Sequence, residues 1–179
     1  MSKVVFTFGR LNPPTVGHLK LVEKIRAVAR LEGGNPLVFL SHSQDAKKNP
    51  LDYNTKIKLA QKAFGKMVVR TKSNTIIKVL QELEKKYNEV VLVVGSDRVS
   101  SMRDLVNKYN GKDYTFDTIT VVSAGERDPD ADDVSGMSAS KMRQLATDSN
   151  VDEFKKGLPP LLQRDAEDIM NTVRKGLKK

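Results

Sequence analysis

The chain has 179 residues, with 31 Lys and Arg against 22 Asp and Glu, which gives a formal net charge of +9. This length suits one folded domain with a sizeable core, no apolar run reaches the roughly 20 residues of a bilayer span, and cysteine is absent. The positive charge calls for an anionic partner: nucleic acid, an acidic membrane surface or a phosphorylated small substrate.

Strand-like and helix-like segments alternate along the chain. The first half predicts a strand at 4–8, a helix at 16–31, a strand at 37–40, a helix at 53–64 and a short strand at 67–69. The second half predicts a helix at 74–87, a strand at 90–94, a helix at 98–109, a strand at 119–122 and a helix at 138–145.

The predicted strands are nearly continuous apolar runs, which is typical of a sheet covered on both faces. Alternation of such strands with helices predicts an α/β fold, a Rossmann-like open parallel sheet flanked by helices. A break at 158–160 precedes a further amphipathic helix. We therefore predict a core over 1–150 and a C-terminal helical extension over 151–179, packed on that core. The acidic stretch 126–133 is interpreted as a solvated surface loop rather than a metal site.

A first motif follows the first predicted strand, where residues 9–18 read Gly-Arg-Leu-Asn-Pro-Pro-Thr-Val-Gly-His and open a helix. Gly9 allows close approach of the backbone, Thr15 places a hydroxyl at the helix start, and Gly17 removes a side chain one turn in. His18 then faces back towards the loop, beside helix amides and a dipole that favour an anion. The alternative is a rigid strand–helix turn with a surface histidine.

A second motif lies at residues 137–143, Met-Ser-Ala-Ser-Lys-Met-Arg. Ser138 is a good helix N-cap, Ser140 adds a hydroxyl in the first turn, and Arg143 lies on the same helix face. Such a helix start can bind phosphates, with Arg143 making charge-assisted hydrogen bonds. The alternative is an ordinary capped helix.

Two further segments follow predicted strands, where ligands bind in parallel sheets. After the strand at 90–94, Asp97 can accept hydrogen bonds from a substrate or ribose and Arg98 can meet a phosphate. The competing interpretation, an Asp cap with a surface Arg, stays open. After the strand at 37–40, Lys48 and then His42 are the candidates for a substrate phosphate, and a solvated loop is the alternative.

These motifs together resemble the HIGH-containing nucleotidyltransferase superfamily. Residues 9–18 resemble its signature G-x-x-x-P-x-(H/T)-x-G-H, with Thr15 in place of a first His, and 137–143 resembles I-S-(S/G)-T-x-(I/V)-R. Gly95 to Asp97 resembles its G-x-D element. The Gly9–Arg10 pair resembles the G-R-F-Q-P opening of archaeal-type nicotinamide mononucleotide adenylyltransferases, although Leu11–Asn12 replaces Phe-Gln. The segment 48–51 and the tail also resemble bacteriophage nucleotidyltransferases.

The resemblance implies transfer of a nucleoside monophosphate from an NTP to a phosphomonoester, with release of pyrophosphate. A phosphomonoester has its second pKa near ~6, so its oxygen is already anionic and no general base is required. Mg²⁺ is expected to arrive on the triphosphate with little protein coordination, and no protein-held metal is predicted. The implied catalytic set is His18 and Thr15 at the α-phosphate, with Arg10 and Arg143 towards the β- and γ-phosphates. The implied nucleotide-binding residues are Gly9, Asn12, Gly17, Gly95, Asp97, Ser138, Ser140 and Lys141, and the implied substrate-binding residues are His42, Lys48 and Arg98.

The base and the acceptor are less constrained. Cytidylyltransferases that resemble this family carry an R-T-E-G-I-S-T-type second motif, whereas residues 133–139 read Asp-Val-Ser-Gly-Met-Ser-Ala. The missing Arg and Glu favour ATP, with nicotinamide mononucleotide as the leading acceptor. Cytidylyl transfer to a small phosphorylated alcohol or sugar remains the alternative.

Two other classes compete. A basic nucleic-acid-binding protein fits the charge, but aromatic residues are 6% of the chain and Trp is absent, so no stacking platform is predicted. A fragment of a class I aminoacyl-tRNA synthetase would share the loop at 9–18, but this length leaves no room for tRNA-reading domains. With no export signal recognised, we expect a cytoplasmic protein that binds neither membrane nor nucleic acid, and we leave homo-oligomerisation open.

Overall fold

A computed structural model of the chain describes residues 2–125 and 138–178. Four strands, β1 (Ser2–Gly9), β2 (Asn35–Leu40), β3 (Tyr87–Val94) and β4 (Thr118–Ser123), form one sheet in the order β2-β1-β3-β4. β3 pairs in parallel with both β1 and β4. The parallel sheet and its flanking helices confirm the predicted Rossmann-like α/β fold.

Seven α-helices lie in the described ranges. They are α1 (Val16–Glu32), α2 (Tyr53–Phe64), α3 (Ile76–Leu83), α4 (Val99–Lys108), α5 (Ala139–Thr147), α6 (Val151–Gly157) and α7 (Ala166–Leu177). Two 3-10 helices at Ser96–Arg98 and Pro160–Asp165 precede α4 and α7. None of these described helices is long and apolar enough to cross a bilayer.

The chain divides into two compact units, each built from three segments. The first unit comprises Met1–Phe8, Lys20–Phe39 and Val69–Arg127, and the second comprises Gly9–Leu19, Leu40–Val68 and Asp128–Lys179. The predicted division at residue 150 stays a prediction.

The core of the first unit is built on the sheet. Buried side chains of β1 and β3, such as Phe6 and Leu92, pack with those of α3 and α4, such as Leu80 and Val106. The Phe6 and Phe39 rings meet edge to face, with centroids 5.9 Å apart. Continuous burial along β3, from Val90 to Val94, explains why its sequence is an unbroken apolar run.

The core of the second unit is helical. Its buried cluster joins Leu51 to apolar side chains of α5, α6 and α7, among them Met142, Phe154 and Val173. The predicted C-terminal helix is α7, whose residues Ile169 and Val173 lie on the buried face. The preceding α6 was not predicted; Asn150 caps it by accepting a hydrogen bond from the backbone N–H of Glu153.

Two predicted elements are wrong in their bounds. The helix expected at 74–87 is only α3, Ile76–Leu83, and β3 begins at Tyr87 instead of residue 90. Tyr87 pairs with Ser2 of β1, and its hydroxyl accepts a 2.7 Å hydrogen bond from Asn35 Nδ2. Strand pairing thus extends β3 through polar residues that have no apolar pattern. At 67–69 the structure has an isolated β-bridge residue, Val68, and a hydrogen bond from Val69 N to Val38 O instead of a strand. The acidic segment 126–133 lies outside the described residues.

Candidate functional site

The loop between β1 and α1, residues 10–15, is tightly packed. Leu11 to Thr15 are buried and Arg10 is exposed. Leu11 has a φ of 44°, a left-handed conformation that costs a non-glycine residue about 1–2 kcal/mol and persists only where neighbours hold it. A Cβ on Gly9 would lie 3.1 Å from Leu11 Cδ1, so glycine accommodates the close approach of the leucine. The packing presents Arg10 at the surface of the loop.

Asn12 joins this loop to the loop between β2 and α2, residues 41–52. Its Oδ1 accepts from Leu51 N at 2.9 Å, and its Nδ2 donates to Leu51 O at 3.3 Å. The side chain is fully buried. The Asn12 amide is engaged by the Leu51 backbone and so holds the two loops together; nucleotide binding by Asn12 stays a prediction.

Thr15 and His18 form a local hydrogen-bonded turn at the start of α1. Thr15 Oγ1 accepts from Gly17 N at 3.1 Å and from His18 N at 3.4 Å, so Thr15 is the helix N-cap. The backbone N–H of Thr15 donates to His18 Nδ1 at 3.0 Å. Since Nδ1 accepts, the proton of the neutral imidazole lies on Nε2, which makes that atom a donor. Thr15 therefore orients His18 and sets its tautomer.

The second motif meets the first through Arg143. Its Nη1 donates to the carbonyl oxygen of Asn12 at 3.0 Å, across 131 positions of sequence. Ser138 caps α5 by accepting from Lys141 N at 3.1 Å, as its predicted position at the helix start requires. Burial, and then the charge of Arg10, lowers the pKa of Arg143, while Asp45 acts in the opposite direction.

Asp45 organises the loop that carries Lys48. Its Oδ1 accepts from the backbone N–H groups of Lys47 at 2.9 Å and Lys48 at 2.8 Å, and its Oδ2 accepts from Asn49 Nδ2 at 2.8 Å. These bonds hold the pKa of the Asp45 carboxyl well below its usual range, the Asn49 amide contributing most. Lys48 itself is exposed, on a turn of defined shape.

Lys56 is a residue that the sequence analysis missed. It lies on α2, fully buried, and its Nζ donates to Arg10 O at 2.8 Å, Ser41 O at 2.7 Å and Ser41 Oγ at 3.3 Å. Burial first, and the Arg10 charge second, lower the pKa of Lys56 to about 8. Position 56 lies one helical turn before the buried Ala60, so the helical period could have placed it on the apolar face.

Gly95, Asp97 and Arg98 lie in the first unit, where the chain leaves β3. Arg98 N donates to Gly95 O at 2.9 Å, which closes the 3-10 turn, and Arg98 Nη2 approaches the sulfur of Met102 at 3.9 Å. A Cβ on Gly95 would lie 2.9 Å from Asp97 Oδ1, the end of an exposed side chain that is able to move away. Asp97 and Arg98 are exposed.

The remaining predicted residues lie in the second unit. It contains His42, whose ring stacks on Tyr53 with centroids 3.9 Å apart, and it contains both motifs. Arg10, Lys56 and Arg143 concentrate positive charge there, since the Arg10 charge lowers the pKa of the other two. Within the described ranges no group of three His, Asp or Glu side chains could hold a metal ion. This arrangement suits a polyphosphate anion.

Comparison with known proteins gives the family. No curated protein sequence matches the chain. A structure from Vibrio parahaemolyticus, provisionally named a nicotinate-nucleotide adenylyltransferase, superposes with a TM-score of 0.57 at 15% identity, covering 93% of this chain and 99% of that one. Plasmodium falciparum nicotinic acid mononucleotide adenylyltransferase superposes at 15% identity in complexes with APC (TM-score 0.55) and with NaAD (0.56), each covering 96% of this chain and 95% of that one.

At that identity these structures are similar to the chain in fold. The model of the cytidylyltransferase-like family matches residues 6–145, which include the Gly9–His18 loop and the Arg143 helix. The chain therefore belongs to the cytidylyltransferase-like family of the nucleotidyltransferase superfamily.

Proposed function

We propose that the protein is an adenylyltransferase, which transfers AMP from ATP to a phosphomonoester and releases pyrophosphate. Nicotinamide mononucleotide or its nicotinate counterpart is the leading acceptor. The observation that carries the proposal is the hydrogen bond from Arg143 to the Asn12 carbonyl, because it joins the two motifs into one cationic site beside His18.

In the proposed reaction, an oxygen of the acceptor phosphate attacks the α-phosphorus of ATP. The bond from that phosphorus to the oxygen bridging to the β-phosphorus breaks, and pyrophosphate leaves with the electron pair. The acceptor needs no base because its phosphate is ionised near neutral pH, with a second pKa of roughly 6. Catalysis then depends on positioning and on stabilising negative charge.

His18 is assigned to the α-phosphate. Its Nε2–H would donate to a non-bridging oxygen, and the Thr15 N–H bond to Nδ1 keeps the ring in the tautomer that can do so. Arg10 and Arg143 would neutralise the leaving pyrophosphate. Ser140 and Lys141, on the first turn of α5, remain proposed contacts of the same phosphates.

Mg²⁺ is proposed to arrive bound to the triphosphate, where it would neutralise charge on the leaving group. Asp45, the carboxylate whose charge acts on Arg143, already accepts hydrogen bonds from its own loop. The other described side chains of the two motifs include cations, an amide and hydroxyls, which are suited to bind phosphate oxygens.

Two observations bear on the choice of nucleotide. The neighbouring structures are named as adenylyltransferases, and residues 133–139 lack the Arg and Glu of cytidylyltransferase motifs. The description of the family model instead favours cytidylyl transfer, to a phosphorylated alcohol or sugar, as the second candidate. Pyrophosphate release with each NTP and a panel of phosphomonoesters, followed by identification of the product, distinguishes the two.

The test of the mechanism is His18→Ala. We expect kcat to fall by about 100- to 1000-fold with the fold intact, since the ring is only half-buried and its hydrogen bonds to Thr15 lie within one turn of the chain. His18→Gln, whose amide can donate near the position of Nε2, should lose less. Lys20→Ala, an exposed change on the same helix, is the control. Full turnover by His18→Ala would refute the assignment.

A further inference from the structure

The proposed mechanism leaves one buried charge unused, the ammonium group of Lys56. Its side chain is fully buried in α2, and none of the ion pairs among the described residues involves it. All three hydrogen-bond partners of its Nζ are oxygens of uncharged groups, the carbonyls of Arg10 and Ser41 and the Ser41 hydroxyl. A lysine ammonium has three donors, so each can be satisfied here.

The partners of Lys56 mark the ends of two neighbouring strands. Arg10 follows β1 and Ser41 follows β2, and Ser41 N also donates to Gly9 O at 2.8 Å. Ligands of open parallel sheets bind beyond these carboxyl ends. Lys56 therefore holds together the first residues of two loops, Arg10 of the loop at 10–15 and Ser41 of the loop that carries Lys48.

Burial of the positive charge of Lys56 is energetically unfavourable. Transfer of an unpaired ammonium from water to a protein interior is unfavourable, and an apolar residue of similar length would avoid that penalty. The positive charge of Arg10 repels the positive charges of both Lys56 and Arg143. A bound anion would relieve this repulsion, and a polyphosphate is the anion that the proposed reaction supplies.

We propose that Lys56 is a positioning residue of the transfer site, which holds the ends of β1 and β2 in one arrangement and contributes the positive charge that favours a polyphosphate. This inference rests on the proposed function, because it assigns Lys56 to the site of nucleotidyl transfer. Lys56 does not itself contact the reacting atoms; it acts through Arg10, Ser41 and the local field.

The test compares Lys56→Met with Lys58→Met. Both variants remove one positive charge from α2, but Lys58 is exposed. The first readout is binding of inorganic tripolyphosphate by calorimetry at low salt, which requires no catalysis. We expect Lys56→Met to bind about tenfold more weakly and Lys58→Met to bind like wild type, because a charge in a partly desolvated site acts far more strongly than one in water.

The second readout is steady-state kinetics with ATP and the acceptor. Loss of the positive charge should raise KM in Lys56→Met. Misplacement of the two loops should in addition lower kcat by about 10- to 100-fold. If Lys56 were needed only for stability, Lys56→Met would lower the melting temperature, and kcat measured well below that temperature would be unchanged. Equal kcat in Lys56→Met and Lys58→Met, with equal tripolyphosphate affinity, would overturn the proposal.

The two readouts separate this inference from the proposed function. If wild type transfers no nucleotide, the proposed reaction fails, while weaker tripolyphosphate binding by Lys56→Met still supports Lys56 as part of an anion site. If wild type does not bind tripolyphosphate, the Lys56 proposal fails.

A measurement on wild type covers the case in which Lys56→Met does not fold. A buried ammonium with three oxygen acceptors should exchange its protons slowly and give a ¹⁵N–¹H signal, assigned by through-bond correlation. Tripolyphosphate should shift this signal. Saturating tripolyphosphate that leaves it unmoved would count against the proposal.

Discussion

Gly176→Ala tests how closely the C-terminal helix supports the loop that carries Lys48. Gly176 lies buried near the end of α7, and a Cβ there would lie 2.0 Å from the carbonyl oxygen of Pro50 and 2.8 Å from its Cβ. Pro50 belongs to the loop at 41–52. Contacts of a real Cβ below 3.0 Å are essentially never seen, so helix and loop would have to separate by about 1 Å.

The magnitude follows from two opposed effects. Replacing glycine by alanine inside an exposed helix stabilises it by about 1 kcal/mol, whereas overpacking costs about 1–3 kcal/mol and sometimes more. The clash at Gly176 is with backbone, which cannot change rotamer, so we expect the cost to dominate. The net loss should be about 2 kcal/mol, or roughly 4–8 °C in melting temperature for a chain of this size.

Urea unfolding followed by far-ultraviolet circular dichroism measures this loss. Lys175→Ala, an exposed change beside it, is the control and should change stability little. Because the displaced loop carries Lys48, the KM for the acceptor should also rise in Gly176→Ala. A variant as stable as wild type, or more stable, would refute the close contact with Pro50.

Three further predictions concern residues that organise the site. Asn12→Ala removes both hydrogen bonds to the buried Leu51 backbone and should lower the unfolding free energy, measured in urea, by about 3 kcal/mol. A loss below about 1 kcal/mol would contradict the role of Asn12 in holding the two loops together. Thr15→Ala should cost about 1 kcal/mol through loss of the N-cap, whereas Thr15→Ser should retain most of it, and equal losses would argue against capping. Folding lowers the pKa of Lys56 from 10.5 to about 8, so between pH 8 and 10 the unfolded chain binds more protons than the folded one. The unfolding free energy of wild type, minus that of Lys56→Met, should therefore rise from pH 8 to 10. If this difference in unfolding free energy stays constant or falls over that pH range, the burial of a charged Lys56 is contradicted.

The elements that sequence predicts well are those whose local signals agree with their burial. The predicted bounds of α2 match the structure because Asp52 accepts from Thr55 N at 2.7 Å at its start and Gly65 follows its end with a φ of 89°. β3 was predicted too short because Tyr87 joins the sheet by pairing with β1, an interaction between distant segments that no local apolar pattern records.

Within the candidate site, sequence identified the residue types but not all of their contacts. Arg143 was assigned with Arg10 to the same phosphates, and in the structure its Nη1 donates to the carbonyl oxygen of Asn12 in the first motif. The hydrogen bonds of the Asn12 amide to Leu51 were not predicted, because they join the first motif to a loop 39 residues away; nucleotide binding by Asn12 stays a prediction. Lys56 was not singled out from the sequence, because its burial comes with hydrogen bonds to Arg10 and Ser41, which follow two distant strands and leave no local pattern.

The contact between Arg143 and the Asn12 carbonyl has a consequence for how the site forms during synthesis. The two residues are 131 positions apart, so a nascent chain that ends before α5 exposes the loop at 10–15 without Arg143. Contacts of such sequence separation form late because loop closure must precede them. The contact between the two motifs therefore forms only after α5 has been synthesised, and a chain truncated before α5 would contain the first motif without Arg143.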